Sequence, residues 1–213
     1  MKILVTGFTR FGQLDFNPTE LMMGEVRRFG QSLDDCEIVT DVLETEYESA
    51  GRRICELLTR HDPDAVLGFG VAPASTTFLL ERFAVNIDDS RDPDNAGWVP
   101  VGQPIVPAGP SAYSSTLPLQ DIFHALQKTG IPVSYSNHAG TYVCNHVFYL
   151  ACHHVAKAQR ERPCGFIHVP LSLGVPGLRP GYQASPVNVI TGVTTCIATV
   201  LGCLATKHRM AAG

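Results

Sequence analysis

Two rhythms of hydrophobic and polar residues alternate along this chain. Apolar, β-branched runs read as strands at KILVTGF (2–8), CEIVTDVLE (36–44), DAVLGFGVA (64–72), TFLLERFAVNI (77–87), PVSYSN (132–137) and CGFIHVPL (164–171). Between them, apolar residues recur at three- and four-residue steps, which predicts helices near 18–29, 47–60, 119–129, 143–159 and 187–206. The first helix carries its start signal in NPTE: Asn17 caps, Pro18 takes the first helical position, and Glu20 reaches back to the cap. Buried strands spaced by helices predict an α/β fold, a single-domain α/β/α sandwich over residues 1–213 with a mostly parallel central sheet. No internal repeat or low-complexity linker divides it. Between about 88 and 118 the pattern lapses into Pro, Asp, Gly and Ser. Inside a compact domain such a stretch marks a functional loop rather than a boundary.

Composition narrows the partners. The 213 residues are 45% apolar and 17% charged, enough for a sizeable core. A net charge of -4 offers no broad basic surface, so neither nucleic acid nor an acidic membrane is expected as a partner. The seven cysteines are odd in number and form no CxxC pair, as in a reduced, cytoplasmic protein, and MKILVTGF is too short for a signal peptide. From Ser185 to Thr206 there is no charge, over about the length of a membrane span. The threonines there, and the stripe Ile190, Val193, Ile197, Leu201 and Leu204, favour a buried C-terminal helix instead.

Candidate chemistry concentrates in SNHAGTYVCNHVFYLACHH, residues 136–154. Val147, Phe148, Ala151, Cys152 and Val155 share one helical face, so Cys152 reads as a small core hydrophobe. Cys144 lies at the head of that pattern, where unpaired N–H groups and the helix dipole favour a thiolate; that is a nucleophile's position. His146 and His153 fall two turns apart on the face away from the core stripe and are expected to be exposed, with no zinc signature around them. Glu81 sits in a strand row with Leu79, Phe83, Val85 and Ile87. A carboxylate there needs a partner, and an arginine salt bridge and a functional role are both open. His168, near the end of an apolar strand, is either a satisfied core histidine or a site residue. Together, Cys, His and carboxylate are the groups that cysteine acyl-transfer chemistry requires. Gly7 and Gly12 have phosphate-loop spacing but lack the following Lys-Ser/Thr, so a nucleotide site is not expected.

These residues resemble the pyrrolidone-carboxylate peptidases, or pyroglutamyl peptidases type I, a family of cysteine peptidases. The likeness rests on VTGFTRFGQLDFNPT, APASTTFLLERFAVNIDDSRDPDNAG, STLPL, SNHAGTYVCNHVFY and GFIHVP, in that order, from about residue 1 to 170. The resemblance implies Cys144 as nucleophile, His168 as acid and base, Glu81 as the group orienting His168, and Arg91 near the reacting carbonyl. It also implies that Phe8 and Phe11 embrace the pyroglutamyl ring, with Tyr142 and Val143 lining the same pocket. No metal or cofactor is implied. The implied protein is a cytoplasmic homo-oligomer, dimer or tetramer, acting on N-terminally pyroglutamylated peptides. The sequence departs from the family at Arg10, Gln13, Val71 (in a loop whose backbone reads the lactam) and Asp92, which replaces an apolar residue against the ring. An amidase with the same triad but another small N-acyl or lactam substrate is therefore the alternative. A non-catalytic binding protein is disfavoured by the complete Cys/His/Glu set.

Overall fold

The computed structural model describes residues 1–12, 16–158, 160–171 and 185–212. The elements run β1 (Lys2–Phe8), α1 (Pro18–Gln31), β2 (Glu37–Leu43), α2 (Tyr47–His61), β3 (Ala65–Ala72), β4 (Phe78–Val85), β5 (Ala112–Ser114), α3 (Leu119–Lys128), β6 (Val133–His138), α4 (Val143–Lys157), β7 (Cys164–Pro170) and α5 (Pro186–Ala212). Six strands and five helices follow the predicted rhythm; β5 is new, a three-residue strand hidden in the Pro- and Ser-rich stretch. The sheet order is β2-β1-β3-β7-β4-β5, with β6 also on β4. Pairing is parallel from β2 through β7 and between β4 and β6, but β4 runs antiparallel to both β7 and β5. The sheet is thus mixed and mostly parallel.

Two cores lie on opposite faces of it. One packs α1, α3 and α5 on Ile3, Val5, Leu67, Phe69 and Ile167. The other packs α2 and α4 on Leu4, Val66 and Phe166. Consecutive strand residues go to opposite layers, as the pleat requires. In β4 this alternation breaks: Arg82 and Phe83 are both exposed. The row expected from Leu79 to Ile87 is therefore not continuous, and Glu81 is buried at the point where it breaks.

The cap of α1 is the expected one but for Glu20, and α2 is capped from a distance. Asn17 Oδ1 accepts from the Thr19 N–H at 3.0 Å, with Pro18 at the start of α1, but Glu20 is exposed and makes no return bond. Helix α2 has no local side-chain cap; Asp94 supplies one from the irregular loop, accepting from the Tyr47 N–H at 3.0 Å. The other Asp94 oxygen accepts from Ala96 and Trp98, so the loop is folded onto α2. On α5, Val193, Ile197, Leu201 and Leu204 are buried as predicted, while Ile190 is only partly so. The opposite face, with Thr191, Ala198, Gly202 and Thr206, is exposed. Only one side of this long apolar helix is core.

Candidate active site

The carboxyl ends of β1, β3 and β7 lie side by side, and the first turn of α4 stands over them. Cys144 is the second residue of α4. Its helix has no side-chain N-cap, and the first helical bond runs from the His146 N–H to the Tyr142 carbonyl at 3.2 Å. The amides of Val143, Cys144 and Asn145 are thereby left without helical partners, which makes this end receptive to negative charge. Below the thiol lies Gly70 of β3. A Cβ there would sit 2.8 Å from Cys144 Sγ and 2.9 Å from the Phe166 ring, so only glycine leaves room for the thiol.

Gly70 is also the register partner of His168 on the neighbouring β7. His168 is 8% exposed, and its Nδ1 lies 2.7 Å from Oε1 of Glu81, itself 1% exposed. A carboxylate only accepts, so Nδ1 carries the proton and Nε2 is left for the thiol. Burial pushes the His168 pKa down, but its hydrogen bonds to Cys144 and Glu81 outweigh it and raise the value to about 9. The antiparallel step from β7 to β4, with Leu79 opposite His168, sets the carboxylate two residues along, diagonal to the imidazole. Glu81 is thus paired with a histidine rather than an arginine; Arg82 instead lies over the Tyr135 ring. Glu81 Oε2 is buried with no hydrogen-bond partner among the described residues.

A cavity of about 200 Å³ opens on Cys144 and His168, walled by Phe8, Phe11, Val71 and Tyr142. Asn17, Thr45, Pro73 and Ala139 complete the wall. Sequence reasoning singled out none of these four for the site: Asn17 reads as a helix cap, and the others are ordinary loop residues whose role comes only from folding. Val143 is wholly buried in the core beneath α4 and does not line the cavity. Val71 belongs to strand β3, not to a loop. Arg91 and Asp92 are exposed and stand outside the cavity wall; a hydrogen-bonded turn between Ser90 and Asp92 holds that part of the loop. Arg10 is exposed too, and its carbonyl accepts from Asn95 at 2.8 Å. Gln13 lies outside the described residues.

His146 and His153, expected on an open face, are instead partly buried and partnered, while His138 is exposed. His146 Nδ1 lies 2.8 Å from Asp88 Oδ2, and His153 Nδ1 lies 2.7 Å from the Tyr113 hydroxyl. Helix α2, together with strand β5 and its flanks, covers the face that the core stripe left open. Among the described residues no group of three or more His, Cys, Asp or Glu could hold a metal. A larger cleft of about 600 Å³, between Tyr47, Trp98 and the start of α2, contains no nucleophilic thiol.

A buried imidazole between a thiol and a carboxylate, under a helix start and beside a small apolar cavity, belongs to the cysteine hydrolases of α/β/α architecture. The sequence profile described as pyroglutamyl peptidase matches residues 1–200, further than the motifs alone reach. The pyrrolidone-carboxylate peptidase of Pyrococcus furiosus is 41% identical over 170 residues, covering 80% of this chain and 81% of that protein. Pyrrolidone-carboxylate peptidase 1 of Ralstonia nicotianae is 39% identical over 204 residues, covering 93% and 92%. A crystal structure of the Pyrococcus furiosus pyrrolidone carboxyl peptidase superposes with a TM-score of 0.88 at 36% identity, covering 96% of this chain and 100% of that one. The chain belongs to the pyroglutamyl peptidase family and is a cysteine hydrolase.

Proposed function

We propose that this protein removes N-terminal pyroglutamate from peptides through a Cys144/His168/Glu81 triad and a thioester intermediate. The observation that carries the reading is the imidazole of His168, held by Glu81 on one nitrogen and sharing the small cavity with Cys144 on the other side. With His168 protonated, the Cys144 thiolate attacks the pyroglutamyl carbonyl, and the new C–S bond places negative charge on the carbonyl oxygen. Free amides at the start of α4 are the donors available to that oxygen. His168 gives its Nε2 proton to the leaving amine as the C–N bond breaks. It then takes a proton from water, whose oxygen attacks the thioester and releases Cys144. Glu81 holds the ring in the required tautomer and stabilises its positive form throughout.

A neutral lactam offers no charge to recognise, so selection must come from shape and from a few hydrogen bonds. Two phenylalanines, Val71 and Tyr142 around a 200 Å³ space suit a five-membered ring and little more. The expected partners are therefore N-terminally pyroglutamylated peptides. Val71, the one departure from the family pattern among the described residues that lines the cavity, favours a second reading, an amidase for another small N-acyl or lactam group. A panel of fluorogenic amides decides between them: pyroglutamyl amide cleaved fastest supports the first, and preference for another acyl group supports the second.

We also propose a cytoplasmic homo-oligomer. All seven cysteines are free, in keeping with a reducing compartment. Up to Thr206 the outer face of α5 carries no charge and hides threonine hydroxyls in bonds to its own carbonyls, as at Thr195 and Thr199, and so presents a quiet surface for a second copy. Light scattering on the purified chain, with a mass above one protomer expected, tests the assembly.

A further inference from the structure

Three consecutive residues at the head of α4 do different work. Cys144 faces the cavity, while Asn145 and His146 both bond to the chain that continues from β4. Asn145 is fully buried, and its Oδ1 accepts from the Val85 N–H at 2.9 Å. Its Nδ2 donates to the carbonyls of Val85 at 2.9 Å and Ile87 at 3.2 Å, so one side chain completes the strand end as a neighbouring strand would. His146 Nδ1 donates to Asp88 Oδ2 at 2.8 Å, and Asp88 is 3% exposed. The backbone of Asp88 is fixed in turn by an antiparallel bridge to Gln103 at the base of the irregular loop. His146 is also braced from behind. The ring of Tyr47 meets it edge-on at 5.5 Å, and a Cβ at Gly51 would come within 2.5 Å of its Nε2, so α2 can approach only through that glycine.

The segment that receives these bonds, residues 85–88, is four to seven residues beyond Glu81 on the same strand and its extension. Helix α4 carries the thiol, and β4 carries the carboxylate that sets the imidazole. With no side-chain cap of its own, the helix start is held by these ties together with Thr141 and Tyr142, which donate to the carbonyls of Asp89 and Pro93. We infer that His146, acting through Asp88 and assisted by Asn145, is a positioning residue that holds the Cys144 thiol in register with His168 and Glu81. The inference rests on the triad reading above. Neither residue touches the cavity's catalytic wall, so their effect is on where the thiol stands, and that is felt in turnover rather than in ring binding.

The test compares His146→Leu with His146→Asn, whose amide N–H can replace the ring Nδ1–H towards Asp88. Two readouts are taken: kcat and KM on a fluorogenic pyroglutamyl amide, and the rate at which iodoacetamide alkylates Cys144. His146→Leu is expected to lower kcat by about 10- to 100-fold with KM changed less than about threefold, the scale of a thiol misplaced by an ångström or less. Alkylation of Cys144 should slow as well, and His146→Asn should recover most of both. An unchanged kcat in folded His146→Leu, or a loss carried by KM alone, overturns the inference. So does failure of His146→Asn to recover activity while it recovers thermal stability. If His146→Leu does not fold, Asp88→Asn takes its place: a fall in kcat and in alkylation supports the inference, and lowered stability with full kcat overturns it. Should the wild-type chain leave the pyroglutamyl amide intact, the substrate reading fails, and the alkylation rates still decide the positioning role.

Discussion

Two histidine–carboxylate pairs, one buried and one part-buried, tie β4 and its extension to other elements, and their contact distances are nearly the same. His168 meets Glu81 at 2.7 Å and His146 meets Asp88 at 2.8 Å, each through Nδ1. In each, one carboxylate oxygen is buried without a partner among the described residues. They differ in what the second ring nitrogen faces. His168 shares a cavity with a thiol, whereas His146 Nε2 is packed against Gly51 of α2 and the cleft that His146 borders has no thiol in its wall. A histidine–carboxylate pair is therefore not by itself a catalytic signature. The open side of the ring decides between chemistry and architecture.

The sharpest way to break the comparison is to remove the thiol. Cys144→Ala should lower kcat by roughly 10⁴-fold or more while the fold persists, since no other group in the cavity can form the acyl intermediate. Far-UV circular dichroism and turnover on one preparation check both halves. Next in size is Glu81→Gln, expected to lower kcat by about 10²- to 10⁴-fold because an amide cannot stabilise the imidazolium.

The same pair predicts a pH dependence. The His168 pKa in the fold, about 9, lies above its ordinary value of 6.5. The charged ring therefore stabilises the fold fully below 6.5, and that contribution is lost as pH rises through about 9. Activity that needs His168 as an acid should fall on the same alkaline limb, which reports the coupled thiol–imidazole pair rather than one group. In Glu81→Gln the limb should move towards neutrality. A pH–rate profile of the two proteins that superposes above pH 8 would separate Glu81 from the imidazole and defeat the assignment.

Smaller effects sharpen the same contrast. Gly70→Ala should cost about 1–3 kcal/mol in stability by overpacking, and displace the thiol enough to reduce kcat/KM about tenfold or more. Denaturant melts and steady-state rates measure the two separately. Under limited alkylation Cys144 should label first. Burial pushes Cys36, Cys55, Cys196 and Cys203 towards the unreactive thiol form, and Cys152 is held there by its hydrogen bond to Cys164 and by burial. Peptide mapping that found another cysteine labelled first would remove Cys144 as nucleophile. The smallest effect is expected at the rim: Asp92, exposed outside the cavity wall, should tolerate Ile with kcat/KM changed less than about twofold. A larger change in either direction would bring this loop into substrate recognition.

Period and punctuation made most of the fold legible. The strands that became β1, β3 and β7 are dense β-branched or aromatic runs, and α1 and α2 are strongly amphipathic, so local pattern and tertiary environment agree. Cys144 was legible for the same reason, because its place at the head of a helical stripe is a local property. What the sequence could not decide was pairing. Strand β5 is too short to show a period, and β4 breaks its alternation between Arg82 and Phe83, so nothing local tells that Glu81 meets a histidine. The partners of Glu81 and His146 lie 87 and 58 residues away along the chain, and only the crossing of β4 with β7 and the docking of α4 bring them together. A helix face without a core stripe reads as solvent-exposed until another helix is laid on it. That is why His146 looked free in the sequence and is held in the structure: burial is a property of what packs against a residue, and packing is decided at long range.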